Sequence, residues 1–160
     1  MAIYLKFDKE IKGEVTAEGF EGQVEVGSLQ WGVGIGVSSP TGSANREASI
    51  PSFSEVVVTK STDIASTPLL QKGCDRENFK TVTISFTTTA KGNSNLVFLE
   101  IKLENVIISG YSMSSGGDGR PSESLSLNYT KITMKYMLDE KGTLAAKAPE
   151  VAWDLATNKA

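Results

Sequence analysis

Apolar and polar residues alternate with a period of two along most of this 160-residue chain. Ile3, Leu5 and Phe7 alternate with their neighbours at the start, which is the pattern of a strand with one buried face. Val82, Ile84 and Phe86 repeat it among Thr81, Thr83, Ser85 and Thr87, and the β-branched threonines suit the open side of a pleated surface. Three longer segments change parity part-way. Val24 and Val26 are followed, after Gly27-Ser28, by Leu29, Trp31, Val33, Ile35 and Val37. Val97, Leu99, Ile101 and Leu103 give way, after Glu104-Asn105, to Val106 and Ile108. Leu125, Leu127 and Tyr129 give way, after Thr130-Lys131, to Ile132, Met134, Tyr136 and Leu138. A parity shift swaps the buried face, and an inserted residue, a β-bulge, restores it while bending the strand. The alternative is a strand that changes sheets or ends there. Three shifts predict strongly curled sheets, hence a barrel or a sandwich with shared corners.

One short helix interrupts the strands. In residues 62–73, Ser66 or Thr67 suits the N-cap, Pro68 the first helical position, Lys72 the C-terminal dipole, and Gly73 a left-handed end. Leu69 and Leu70 are expected against the sheet. Residues 38–52 are small and polar without apolar periodicity, so they predict a long loop of functional weight. Residues 112–122 form a second, Gly/Ser-rich connection.

Composition narrows the chemistry. The chain has no histidine and one cysteine, Cys74. Ser-His-Asp and Cys-His nucleophiles are therefore excluded, as are zinc sites built on histidine or on several thiolates. A lone cysteine makes no intrachain disulfide. The net charge of −3 comes without a basic run, which argues against nucleic acid as a partner. No apolar run approaches a bilayer span, and the first residues do not read as a signal peptide. These features predict a soluble, non-catalytic protein made in the cytoplasm, with no cofactor and no membrane insertion.

Individual motifs do not change this. The glycines of Gly32-Val33-Gly34-Ile35-Gly36 lack the third glycine and the following helix of a nucleotide loop, and read as places where another backbone or subunit comes close. Asp8, Glu10, Glu14, Glu18, Glu21 and Glu25 lack cation-loop spacing and read as a solvated face. Glu100 is the nearest candidate for a carboxyl group on an apolar background, but its parity puts it with Lys102 and Glu104. Cys74 reads as a small residue partly buried at the helix end. The Asn128-Tyr129-Thr130 sequon lies inside a strand. Trp31 and Trp153 share the parity of core residues.

Taken in order, the segments resemble one family. Ile3-Tyr4-Leu5-Lys6-Phe7, the turn Lys12-Gly13-Glu14, Leu29-Gln30-Trp31-Gly32, the long polar loop, Ser66-Thr67-Pro68-Leu69-Leu70 and Leu127-Asn128-Tyr129 through Tyr136 are similar to the Hcp proteins of type VI secretion systems. A tryptophan strand around Trp153 closes the match, which runs from about residue 2 to 155. The resemblance implies a single domain over residues 1–160. The implied fold is a compact β-barrel of two curved antiparallel sheets, with one flanking helix and a long extended loop. It also implies hexameric rings that stack into a tube, export through the type VI apparatus on sheath contraction, spike and sheath partners, and small effector proteins in the lumen. Parity then places Ser28 and Gln30 opposite the core-facing Trp31, as the lumen- or cargo-facing candidates. Asn45, Arg46 and Glu47 are the ring-stacking candidates, since Arg46 can pair bidentately with a carboxylate. No catalytic or metal-binding residue is expected. The competing class is a monomeric β-sandwich module for a carbohydrate or other ligand, which requires exposed aromatics.

Overall fold

The computed structural model describes residues 1–9, 11–38, 47–89, 95–138, 143–145 and 147–160. The strands are β1 (Ala2–Phe7), β2 (Val24–Val26), β3 (Ser28–Gln30), β4 (Val33–Gly34), β5 (Val37–Ser38), β6 (Glu47–Ala48), β7 (Ser52–Phe53) and β8 (Val56–Ser61). Helix α1 (Ser66–Cys74) follows, then β9 (Asn78–Thr89), β10 (Asn95–Ser114), β11 (Ser122–Asn128), β12 (Lys131–Tyr136) and β13 (Glu150–Asp154). All ladders are antiparallel. Among the described residues, nine strands form one sheet in the order β2-β1-β9-β10-β11-β8-β3, with β12 and β13 branching from β10. The two ends of that order carry no ladder to each other, although Gly27 alone separates them in the chain. Gly27 donates its N–H to the Thr59 carbonyl at 2.7 Å.

The parity shifts are real, and each has its own mechanism. At Gly27 the strand changes partner, from β1 to β8. At Thr130 one strand ends and the next begins, with the Thr130 N–H on the Glu104 carbonyl at 3.1 Å. At Asn105 the backbone turns left-handed, with φ 55°. There the buried side of β10 passes from Ile101 and Leu103 to Val106 and Ile108. The register with β9 stays unbroken, because β9 shifts with it: Leu103 opposes Val82 and Val106 opposes Phe79, all four buried. The inserted residues lie elsewhere, at Phe98 against β9 and Ser109 against β11. Burial tracks this alternation, and Val24, Val56, Val58, Phe79, Leu103 and Leu127 are all closed to water. Each such aliphatic or aromatic side chain contributes roughly 1.5–3 kcal/mol.

The helix forms where expected, but its ends differ. Ala65 is the N-cap and has no side-chain cap of its own. Asp63 supplies one instead, its Oδ1 accepting the Ala65 N–H at 2.9 Å, while Pro68 sits in the first turn, where no N–H is needed. The left-handed residue after the helix is Arg76, φ 55°, rather than Gly73. Gly73 lies inside the helix facing Ile108, where a Cβ would make ordinary contact with Ile108 Cγ2 at 3.5 Å. Leu69 is buried, whereas Leu70 is 45% exposed. Cys74 is exposed rather than partly buried, because it falls on the outer side of the last turn.

Candidate functional site

Three surfaces are built by this fold. The first is the outer face of β3, β8, β11 and the C-terminal half of β10. Registers place Ser28, Thr59, Ser124 and Ser112 in one row across the four strands. Gln30, Val57, Ser126 and Gly110 make the next, and Ser61, Ser122 and Ser114 a third. The Ser28 and Thr59 hydroxyls bond to each other, and Ser109 donates to the Ser126 carbonyl at 3.2 Å. Among the described residues these rows hold eight hydroxyls, one amide, Val57 and Gly110, and no charge. The alternation of β8 and β11, with Val56, Val58, Leu125 and Leu127 inward, is what turns the hydroxyls outward. Ser28 and Gln30 are both exposed on this wall.

Behind the wall lies a buried ionic cluster that the sequence reading missed. Lys60 on β8 opposes Glu123 on β11, and both side chains are closed to water. Lys60 Nζ donates to Glu123 Oε2 at 3.0 Å, Asp63 Oδ1 at 2.7 Å, Ser66 Oγ at 3.1 Å and the Ser61 carbonyl at 2.8 Å. Burial pushes the Glu123 carboxyl up, but hydrogen bonding from Ser66, Lys60 and Tyr111 outweighs it and holds the group below its usual range. The Tyr111 hydroxyl is pushed up to about 12, first by burial and then by Glu123. The cluster ties the start of α1 to the sheet. The only signal in the sequence was a charge at an inward parity on each of two strands, Lys60 beside Val58 and Glu123 beside Leu125.

A polar cleft of about 470 Å³ opens beside this cluster, lined by Glu14, Gly27, Lys60, Asp63, Arg120 and Ser122 among others. Its charges are largely spent on one another. Arg120 Nη1 donates to Glu14 Oε2 at 2.8 Å, and this hydrogen bond holds the Glu14 carboxyl below its usual range. The cleft thus straps the loop before β2 to the Gly-rich connection before β11.

The third surface is a projecting arm. The segment expected as a loop over residues 38–52 is, in its described part, the return strand of a two-stranded ribbon: β4 pairs with β7, and β5 with β6. Register passes from Val33 opposite Phe53 to Val37 opposite Ala48, so the return strand holds one extra residue, at a stretch containing Pro51, which lacks an N–H to pair. Val33, Ile35 and Val37 are each 52–58% exposed, not inward as their parity had suggested, because the ribbon leaves the sheet, and Ile50 on the return strand is 68% exposed. Gly36 is held close to Ser49, where a Cβ would lie 2.8 Å from Ser49 Oγ, whereas a Cβ on Gly32 or Gly34 would meet nothing within 4 Å. Glu47 is exposed on β6, and Asn45 and Arg46 lie outside the described residues. The arm's root is pinned by aromatics: Phe53 stacks between Trp31 at 6.4 Å and Trp153 at 6.2 Å. Both tryptophans are half-buried against the core, so they do not form an open stacking platform for a sugar.

The model of the family described as type VI secretion system effector, Hcp, matches residues 4–136. The chain belongs to the Hcp family. A solved type six secretion system protein is 30% identical, with a TM-score of 0.87 over 99% of this chain and 98% of its own. The Hcp1 protein of Salmonella typhimurium shares the fold at 20% identity, with a TM-score of 0.79 over 99% and 97% of the two chains. A type VI secretion system effector from Yersinia pestis shares it at 22% identity, with a TM-score of 0.73 over 95% and 98%. No curated protein matches. Among the described residues the Hcp fold is thus mainly β, antiparallel, with one helix, and it carries the hydroxyl wall and the apolar arm.

Proposed function

We propose that this chain is a structural subunit of the type VI secretion inner tube and acts without catalysis. Copies join head to tail into hexameric rings, and the rings stack into a tube that sheath contraction drives out of the bacterium with the spike. The subunit works as one domain whose strand order closes, barrel-like, through the chain at Gly27. It is made in the cytoplasm, leaves through the apparatus and carries small effector proteins in the lumen. Glu47, with Asn45 and Arg46, is assigned to ring-to-ring contact at the end of the arm.

The observation that carries this reading is the wall of β3, β8, β11 and β10. Ser28 and Gln30 sit on a broad face whose rows carry no charge and border the polar cleft at one edge only, at Thr59, Ser61 and Ser122. Such a face suits the lining of a channel better than a site that grips one small ligand, since ligand sites are concave and mostly apolar. Family membership supplies the context of self-association. Solution mass by light scattering together with negative-stain images tests the proposal. Closed rings with a central hole are expected, and a monomer of 17.1 kDa at all concentrations refutes it.

A further inference from the structure

The fold treats its aspartates unequally. Asp8 Oδ2 accepts the Lys80 N–H at 3.0 Å, and Asp63 Oδ1 accepts from Lys60 and from the Ala65 N–H. Asp75 accepts from the Gln71 amide at 3.0 Å, and Asp154 Oδ1 takes the Ala156 and Thr157 N–H groups. Asp118 stands apart: its carboxyl is exposed and accepts no hydrogen bond among the described residues. The amide that follows each side chain shows the same contrast. The Ile64 N–H bonds to Glu14, the Arg76 N–H to the Gly73 carbonyl at 3.1 Å, and the Leu155 N–H to the Thr130 carbonyl at 2.8 Å. The Gly119 N–H has no acceptor among the described residues. Asp118-Gly119 is also the one place in the sequence where glycine follows aspartate. No side chain on the next residue therefore stands between the carboxyl carbon and the next amide nitrogen.

We propose that Asp118 rearranges spontaneously to isoaspartate in the folded chain. The Gly119 nitrogen attacks Cγ of the Asp118 carboxylic acid. A Cγ–N bond forms, a Cγ–O bond breaks, and the hydroxyl leaves as water with the amide proton. The product is a cyclic succinimide. Water then adds at the main-chain carbonyl carbon of Asp118 and breaks its bond to the Gly119 nitrogen. One water leaves and one enters, so the mass is unchanged, but the main chain now runs through Cγ and is one atom longer. The connection has room for that atom. Gly117 and Gly119 are left-handed, with φ 89° and 77°, and a Cβ on Gly116, Gly117 or Gly119 would meet nothing within 4 Å. Beyond them the chain is anchored again, by Arg120 on Glu14 and by the Pro121 carbonyl on the Thr62 N–H at 2.9 Å. The rearrangement is thus absorbed at the loop tip, where covalent change is best tolerated, and it accumulates without unfolding the domain. The exposed tip also presents the product to a carboxyl methyltransferase that recognises isoaspartate. This inference does not rest on the tube reading.

The test uses the full chain, aged in neutral buffer at physiological temperature beside the same chain in guanidinium chloride. Samples drawn over several weeks are treated with an isoaspartyl methyltransferase and a labelled methyl donor, then cleaved at glutamate. Electron-transfer fragmentation of the peptide over residues 105–123 tells aspartate from isoaspartate at residue 118. Isoaspartate there should rise with time in the folded chain at least as fast as in denaturant. Asp8, Asp63, Asp75 and Asp154 should lag far behind in the folded chain alone. Asp118→Glu, whose side chain must close a larger ring, should lose the methyl label at residue 118 and keep the parent's melting temperature. The aged parent should keep it as well. No isoaspartate at residue 118, a folded rate well below the rate in denaturant, undiminished label in Asp118→Glu, or a lowered melting temperature in the aged parent overturns the inference.

Discussion

Lys60 and Glu123 face each other across the β8–β11 ladder, Nζ to Oε2 at 3.0 Å, with both side chains withdrawn from water. Two charges in such a place cost several kcal/mol of lost hydration each, offset only because Lys60 also donates to Asp63, Ser66 and a carbonyl. Glu123→Gln or Lys60→Met leaves a buried charge short of its partner and should lower stability by about 3–5 kcal/mol. The double variant Lys60→Met/Glu123→Leu should lose less than the worse single one. Chemical denaturation midpoints check both statements, and a fully additive double variant would contradict the coupling.

The sign of the pH dependence follows from the same groups. Glu123 is held below its usual value when folded, so its contribution is complete above the unfolded carboxylate range and is lost as pH falls through the lowered folded value. Tyr111 and Tyr129 are pushed up to about 12, in each case chiefly by burial. Both bind their protons more tightly folded than unfolded, so stability should decline as pH rises from about 10 toward 12. Tyr111→Phe should flatten part of that decline in melting curves taken across the range. An identical slope would contradict the assignment.

Gly13 and Gly34 make a controlled pair. A Cβ on Gly13 would sit 2.1 Å from the Gln23 carbonyl oxygen, against backbone that already bonds to this loop, whereas Gly34 meets nothing. Gly13→Ala should cost about 1–3 kcal/mol, as overpacking does. Gly34→Ala should leave monomer stability within about 0.5 kcal/mol.

Leu69 and Leu70 are neighbours with opposite fates. Leu69→Ala should cost about 2–5 kcal/mol, because it opens a cavity under α1. Leu70→Ala should cost much less, since that side chain is nearly half exposed. Equal losses would mean that α1 is seated differently.

Gln30 tests the wall. Gln30→Glu puts a charge into rows that have none, among hydroxyls that remain solvated, so rings should form normally while effector retention in pull-downs falls and becomes salt-sensitive. Unchanged retention would remove Gln30 from the lumen.

Much of this was written in the alternation of apolar residues. Val24, Val56, Ile84, Leu103 and Leu127 are core because a strand presents every second side chain to one face, a rule that needs no partner to be known. Asn105 was legible as a change of parity, and Ser28 and Gln30 as outward residues. The resemblance of the motif order to the Hcp family could also be read from the chain, since the match extends over residues 4–136.

What tertiary structure alone decided is everything that joins distant parts of the chain. Lys60 and Glu123 are 63 positions apart, and only the β8–β11 register makes a buried pair of them. The same is true of the stack of Trp31, Phe53 and Trp153. Parity placed Val33, Ile35 and Val37 in the core, yet they are exposed, because periodicity reports which side of a strand is apolar and not whether the rest of the protein covers it. Burial is a property of the neighbour, and the described residues of this chain supply none for the apolar side of the arm.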